Sequence, residues 1–304
     1  MMSEVNQKSS PTRLIDPSIL SRISNLDLLA RGVVEGFVGG LHKSPYKGFS
    51  VEFLEYRPYS PGDDPMRIDW KLFMRSDRLY IKQFEDETNT NCSILLDTSK
   101  SMDYSSTHIS KLQYSIYLAA SLAYFMIRQR DSAGLCLFDH KIKENIPAKS
   151  GKGHLHTLLN ILNTVQPDAS TNMSKPFHEL ADNLKKRGIV IIISDLLDSL
   201  DHILAGLKHF RFNGNNVIVF HIMDPLELSF EYDGILELED METGEKMVLA
   251  ADQAKETYQH NLDEFKSSLT VNCGLLNIDY TVLTTDQPLD HALFKYLSKR
   301  SSIK

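Results

Sequence analysis

The sequence predicts an α/β fold, a mostly parallel central sheet with helices on both faces, preceded by an N-terminal extension. Three observations carry that prediction. The short apolar runs Cys92–Leu96, Ala133–Phe138, Ile189–Ile193 and Val217–Ile222 read as strands buried on both faces. Longer segments between them repeat apolar residues at three- and four-residue steps, as in Leu112, Ile116, Ala119, Leu122, Ala123 and Met126. Strand and helix then alternate, which parallel pairing requires, because each crossover needs a covering helix.

Bulk properties narrow the function classes. With 33 Lys and Arg against 40 Asp and Glu, the formal charge is −7, which argues against a generally basic nucleic-acid binder. The three cysteines, Cys92, Cys136 and Cys273, form no CxxC pair, so neither a disulfide scaffold nor a cysteine-only zinc site is expected. No stretch reaches the roughly 18–20 apolar residues of a membrane helix. The opening MMSEVNQKSSPTRL has no apolar core of a signal peptide. The expectation is a cytoplasmic protein with no membrane span.

Three regions are predicted. Residues 1–15 are polar and expected to be disordered; 16–90 form the extension; 91–304 form the α/β domain. In the extension, Ile19, Ile23, Leu26, Leu29 and Val33 suit one helix face, which Gly36, Gly39 and Gly40 are expected to break. Short strands follow around Ser50–Tyr56 and Leu79–Phe84. Pro61-Gly62-Asp63 between them is a turn, since proline presets φ and glycine permits positive φ. Trp70, the chain's single tryptophan, is expected to pack, and Arg57, Asp63, Asp64, Arg67 and Asp69 to pair across the junction. A partner surface is the alternative there.

Through the α/β domain, the predicted helices are Lys111–Gln129, His154–Val165, Phe177–Lys186, Leu200–Phe210, Ala251–Ser268 and Asp290–Lys299. Lys141–Ala148 reads as an edge strand and Asp279–Leu283 as a further strand. Ile235–Leu249, centred on Glu242-Thr243-Gly244, reads as an inserted hairpin. His154 and His156 have no partner at zinc-ligand spacing, and Gly151-Lys152-Gly153 lacks the phosphate-loop pattern. The histidines are read as a solvated helix start, and Gly151-Lys152-Gly153 as a simple flexible turn before it.

Two strands end in aspartate. Cys92–Leu96 runs into Asp97-Thr98-Ser99-Lys100-Ser101, and Ile189–Ile193 into Ser194-Asp195; Ser170-Thr171-Asn172 precedes a helix between them. Ligands of such sheets bind beyond the carboxyl ends of the strands. A curling loop, expected at the surface, can turn Asp97, Ser99 and Ser101 toward one point. The carboxylates and hydroxyls of Asp97, Ser99, Ser101, Thr171 and Asp195 suit a hard divalent cation, Mg²⁺ or Mn²⁺. Loop and helix capping is the alternative role for these residue types.

D-x-S-x-S after the first strand, a later threonine, and an aspartate after a central strand resemble the metal-ion-dependent adhesion site of von Willebrand factor type A domains. That resemblance implies a Rossmann-like fold and an ion that mediates partner binding. RPYSPGDDPMRIDWKLFMRSDRLYIKQFEDE, then DTSKSM, and DYTVLTTDQPLDHALFKYLSKR resemble the bacterial family called domain of unknown function 58. This second resemblance implies an adaptor or chaperone-linked partner of a MoxR-type AAA+ ATPase and carries over no enzymatic activity. Many members have two N-terminal membrane helices, which this sequence lacks. The alternative is a metal-dependent phosphohydrolase using Asp97 and Asp195. Phosphatases of the haloacid-dehalogenase type need a second carboxylate at the position of Ser99, and a hydroxyl cannot replace it in proton transfer.

Overall fold

The computed structural model describes residues 25–41, 55–60, 73–74, 78–83, 90–167, 174–184, 187–239 and 246–301. The chain forms two compact units, Met1–Phe37 with Thr90–Lys304, and Val38–Asn89. The smaller unit contains an antiparallel ladder, β1 (Glu55–Pro58) against β2 (Tyr80–Gln83), close to the two strands predicted; Arg57 stands opposite Ile81 in it. Asp63, Asp64, Arg67, Asp69, Trp70 and Thr171 lie outside the described residues.

The first helix, α1 (Leu26–Leu41), buries Leu26, Leu29, Ala30, Val33 and Val34. Contrary to expectation, Gly36, Gly39 and Gly40 do not end it. A helical glycine costs only about 1 kcal/mol relative to alanine, and the buried apolar stripe outweighs that.

The larger unit is built on six strands: β3 (Asn91–Asp97), β4 (Ser132–Phe138), β5 (Ile142–Lys149), β6 (Ile189–Ser194), β7 (Asn216–Met223) and β10 (Asp279–Thr284). Their order is β10-β7-β6-β3-β4-β5; every pairing is parallel except β4 with the edge strand β5. The chain starts in the middle, winds outward through β4 and β5, then returns to wind the other way. This is the doubly wound, Rossmann-like order, and its switch point lies between β3 and β6.

Helices cover both faces, as predicted. On one face, α4 (Ser174–Asn183), α5 (Leu200–Phe212) and α7 (Ala251–Leu275) enclose a core that includes Leu95, Phe177, Ile192, Phe210, Val219 and Leu269. Phe177 sits edge-on to both Phe138 and Phe210, at 5.4 and 5.7 Å between ring centroids. Gly206 makes this packing possible: a Cβ there would lie 2.5 Å from the Phe177 ring. On the other face lies α2 (Lys111–Arg128), with α3 (Lys152–Asn163) and α8 (Asp290–Ser301) beside it. Successive strand residues alternate between the two faces and are buried on both, which explains the unbroken apolar run IVIII in β6.

Smaller expectations also hold. The inserted hairpin is present as β8 (Ile235–Glu239) against β9 (Lys246–Ala250). Two expectations are corrected. Gly151, at φ 106°, caps α3, so Lys152 and Gly153 belong to that helix and not to a flexible turn. His154 is half-buried, its Nε2 2.7 Å from the Ala133 carbonyl, because the helix start packs beside β4. All three cysteines are buried, and none is in a disulfide. Among the described residues, no helix is long and apolar enough to cross a membrane.

Candidate functional site at the switch point

The register that pairs Leu96 with Ile193 sets the ends of β3 and β6 side by side. Asp97 therefore meets the residue before Asp195. Its Oδ2 accepts a 2.6 Å hydrogen bond from Ser194 Oγ, and its Oδ1 accepts one of 2.9 Å from the Ser99 amide. The second bond closes an Asx turn, which reverses the chain immediately after the strand. Thr98 points the other way, its amide and hydroxyl both donating to the Phe138 carbonyl at 2.8 and 3.0 Å. With Thr98 fastened to β4, the alternation of the loop brings Ser99 and Ser101 together, and their hydroxyls hydrogen-bond at 3.0 Å. Met102 is fully buried in the following 3-10 turn and serves as packing, as expected.

Asp195 follows β6 directly. The next residue, Leu196, adopts φ 53°, a left-handed conformation unusual for a leucine, and its side chain is fully buried. Its amide donates to Ser194 Oγ at 2.9 Å. That single hydroxyl thus anchors both the Asp97 carboxylate and the turn that carries Asp195.

The loop carrying Ser99 and Ser101 is expected at the surface, and the structure corrects this. Relative exposures are 0% for Asp97 and Ser99, 6% for Ser101 and 3% for Asp195. A carboxylate neighbour in so dry a place disfavours charge on Asp97. Burial first, and the Asp195 carboxylate second, push the Asp97 pKa up to about 7, against the lowering effect of the Ser194 and Ser99 hydrogen bonds.

Three further groups complete the network. Lys111, the first residue of α2 and only 1% exposed, donates from Nζ to Asp195 Oδ2 at 2.9 Å and to Glu227 Oε1 at 2.7 Å. Glu227 belongs to α6 (Pro225–Ser229), whose N-cap Asp224 forms a capping box with it: the Asp224 amide donates to Glu227 Oε2 at 2.8 Å. The Asp224 carboxylate also accepts from the Ser106 amide at 2.8 Å and from the Ser106 hydroxyl. The loops after β3, β6 and β7 are thus tied at one edge.

Of the five residues the sequence nominates, the structure brings together Asp97, Ser99, Ser101 and Asp195; Thr171 lies outside the described residues. The motif reading misses Ser194, Lys111, Asp224 and Glu227. Asp224 had a signal, since Asp-Pro-x-Glu after an apolar run spells a capping box. Lys111 had none, because a lysine starting an amphipathic helix reads as solvated. The donor set is all oxygen, in carboxylates and hydroxyls, which fits a hard divalent cation.

A family described as "Protein of unknown function DUF58" matches residues 55–267. The chain belongs to the DUF58 family. It is 24% identical over 233 residues to the uncharacterized protein Rv1480 of Mycobacterium tuberculosis, covering 75% of this chain and 73% of that protein. It is 24% identical over 149 residues to the uncharacterized protein YeaD of Bacillus subtilis, covering 48% and 35%. Among solved structures, this DUF58 chain is similar to the conserved hypothetical protein BatB from Bacteroides thetaiotaomicron, with 14% identity, 70% and 99% coverage and a TM-score of 0.49. It is also similar to the SpRpn10 VWA domain, with 12% identity, 67% and 94% coverage and a TM-score of 0.37.

Proposed function

We propose that this DUF58 protein is a cation-dependent protein-interaction module. The observation that carries the reading is the buried oxygen cluster at the switch point: Asp97, Ser99 and Ser101 beyond β3, and Asp195 beyond β6. These four residues would hold a Mg²⁺ or Mn²⁺ ion, with Thr171 as the fifth on the sequence pattern. Neutral hydroxyls neutralise little of the ion's charge, so the bound ion would supply an electron-poor position for a carboxylate of the partner. The chain's own residues fix the donors: Ser194 and the Ser99 amide orient Asp97, and the strained turn at Leu196 orients Asp195.

The family resemblance makes a MoxR-type AAA+ ATPase the partner to test first. The reading takes the protein as cytoplasmic and, with a formal charge of −7, as no general binder of nucleic acid. The test is a pull-down of that ATPase with Mg²⁺ or EDTA, alongside Mn²⁺ titration of wild type and Asp97→Ala. Capture that needs the cation and is lost in Asp97→Ala supports the reading. Equal Mn²⁺ binding by both proteins refutes the site.

One observation favours a second reading, a metal-dependent phosphohydrolase. An Asp97 pKa near 7 suits an acid–base group. Against it, the position two residues on holds Ser99, and a hydroxyl cannot replace a carboxylate in proton transfer near neutral pH. Phosphate release from p-nitrophenyl phosphate with Mg²⁺, lost in Asp97→Asn, would favour this reading.

A further inference from the structure

We infer that Lys111 is a resident counter-cation of the switch-point cluster and sets how tightly Asp97 and Asp195 hold a divalent ion. The inference rests on the cation reading above and assigns a new residue to it.

The ammonium is fixed in place. Its Nζ lies 2.9 Å from Asp195 Oδ2 and 2.7 Å from Glu227 Oε1, and 5.8 Å from the centre of the Tyr104 ring. Glu227 cannot swing away and take the lysine with it, because its second oxygen is held by the Asp224 amide. Nor can Lys111 retreat to solvent without abandoning a site in which it is 1% exposed. Burial works against its charge, but Asp195 and Glu227 outweigh burial and keep it protonated.

The consequence follows from Coulomb's law. A divalent ion reaching Asp195 shares that carboxylate with a positive charge already in contact, and between buried charges the repulsion is only weakly screened. Lys111 therefore opposes an ion that the carboxylates of the network, Asp97, Asp195, Glu227 and Asp224, attract. Wild type should hold the ion weakly and depend on a partner carboxylate to complete the shell.

The test is Mn²⁺ titration of the full chain, read by electron paramagnetic resonance of free Mn²⁺ and by the Mn²⁺-dependent shift in melting temperature. Lys111→Met should bind Mn²⁺ roughly tenfold tighter or more, although its metal-free fold melts lower. Glu227→Gln keeps an oxygen for the Asp224 amide but leaves Lys111 wholly on Asp195, so it should bind several-fold weaker. A merely structural role would weaken binding in both, so the opposite signs are the signature. Mn²⁺ binding by Lys111→Met but not by wild type also supports the inference. If folded Lys111→Met binds no tighter than a wild type that does bind, the inference falls and the proposed function stands. If Lys111→Met does not fold, Glu227→Gln decides, and unchanged or tighter binding overturns the role. No binding by wild type or either variant overturns the cation reading and this inference with it.

Discussion

Ser194 Oγ donates to Asp97 Oδ2 at 2.6 Å across the seam between the two central strands. The same hydroxyl accepts from the Leu196 amide. One serine therefore links the first strand's terminal carboxylate to the turn beyond the fourth. Ser194→Ala should orphan a buried carboxylate oxygen and a buried amide, losing about 1–3 kcal/mol of stability. Chemical denaturation would measure it. A loss below about 0.5 kcal/mol would mean that the carboxylate finds another donor.

Asp97 also predicts how stability varies with pH. Its pKa in the fold, about 7, lies above its ordinary value of 3.8. Between those values the folded chain holds a proton that the unfolded chain has released. The group therefore lowers stability as pH rises from about 4 to about 7, with a limiting slope of about 1.4 kcal/mol per pH unit. Asp97→Asn should flatten that part of the profile. Added Mn²⁺, under the proposed function, should stabilise wild type more at pH 7 than at pH 5.

His221 gives the opposite slope. Burial is the main cause that lowers its pKa from 6.5 to about 4, and its Nδ1 lies 2.7 Å from the Tyr280 hydroxyl. Above pH 6.5 the imidazole is neutral in both states. Between 6.5 and 4 the unfolded chain takes up the proton first, so stability falls as pH falls through this window. His221→Gln should remove this acid sensitivity while leaving the Asp97 slope. Identical profiles for wild type and variant would refute the assignment.

Gly206 allows α4 and α5 to approach through Phe177. Gly206→Ala puts a methyl group 2.5 Å from that ring, which is itself wedged between Phe138 and Phe210. Overpacking of this kind typically costs about 1–3 kcal/mol. The melting temperature should fall, and an unchanged value would show that the helices can separate freely.

Tyr114 buries its hydroxyl with no hydrogen-bond partner among the described residues. Tyr114→Phe removes that unsatisfied group and keeps the ring. The variant should be as stable as wild type or more stable by about 1 kcal/mol. A clear loss on denaturation would reveal an engaged hydroxyl.

The α/β order was legible because strands such as IVIII of β6 are buried on both faces and leave a continuous apolar run. Asp97, Ser99, Ser101 and Asp195 were legible because they stand where such strands stop. Their depth was not: Asp and Ser read as turn formers at a surface, and only strand register reveals that β6 and β3 close over them. Lys111 was hidden for a related reason. Its burial comes from carboxylates located 84 and 116 positions away, which local periodicity cannot detect. The glycines of α1 misled in the other direction, since tertiary burial of Leu29, Val33 and Val34 overrides a local propensity of modest size.

The seam between β3 and β6 also sets a time at which the cluster can exist. Asp97 and Ser194 are 97 positions apart, and they meet only through parallel pairing of strands separated by β4, β5 and the helices α2, α3 and α4. Contacts of such long sequence range carry a loop-closure cost that local helices and nearer strand pairs do not. During synthesis, a nascent chain that ends before β6 carries Asp97 without Ser194 or Asp195, and so cannot assemble the site however well its first strands fold. Under the proposed function, a partner that engages the cluster would therefore select chains whose two halves have already been joined.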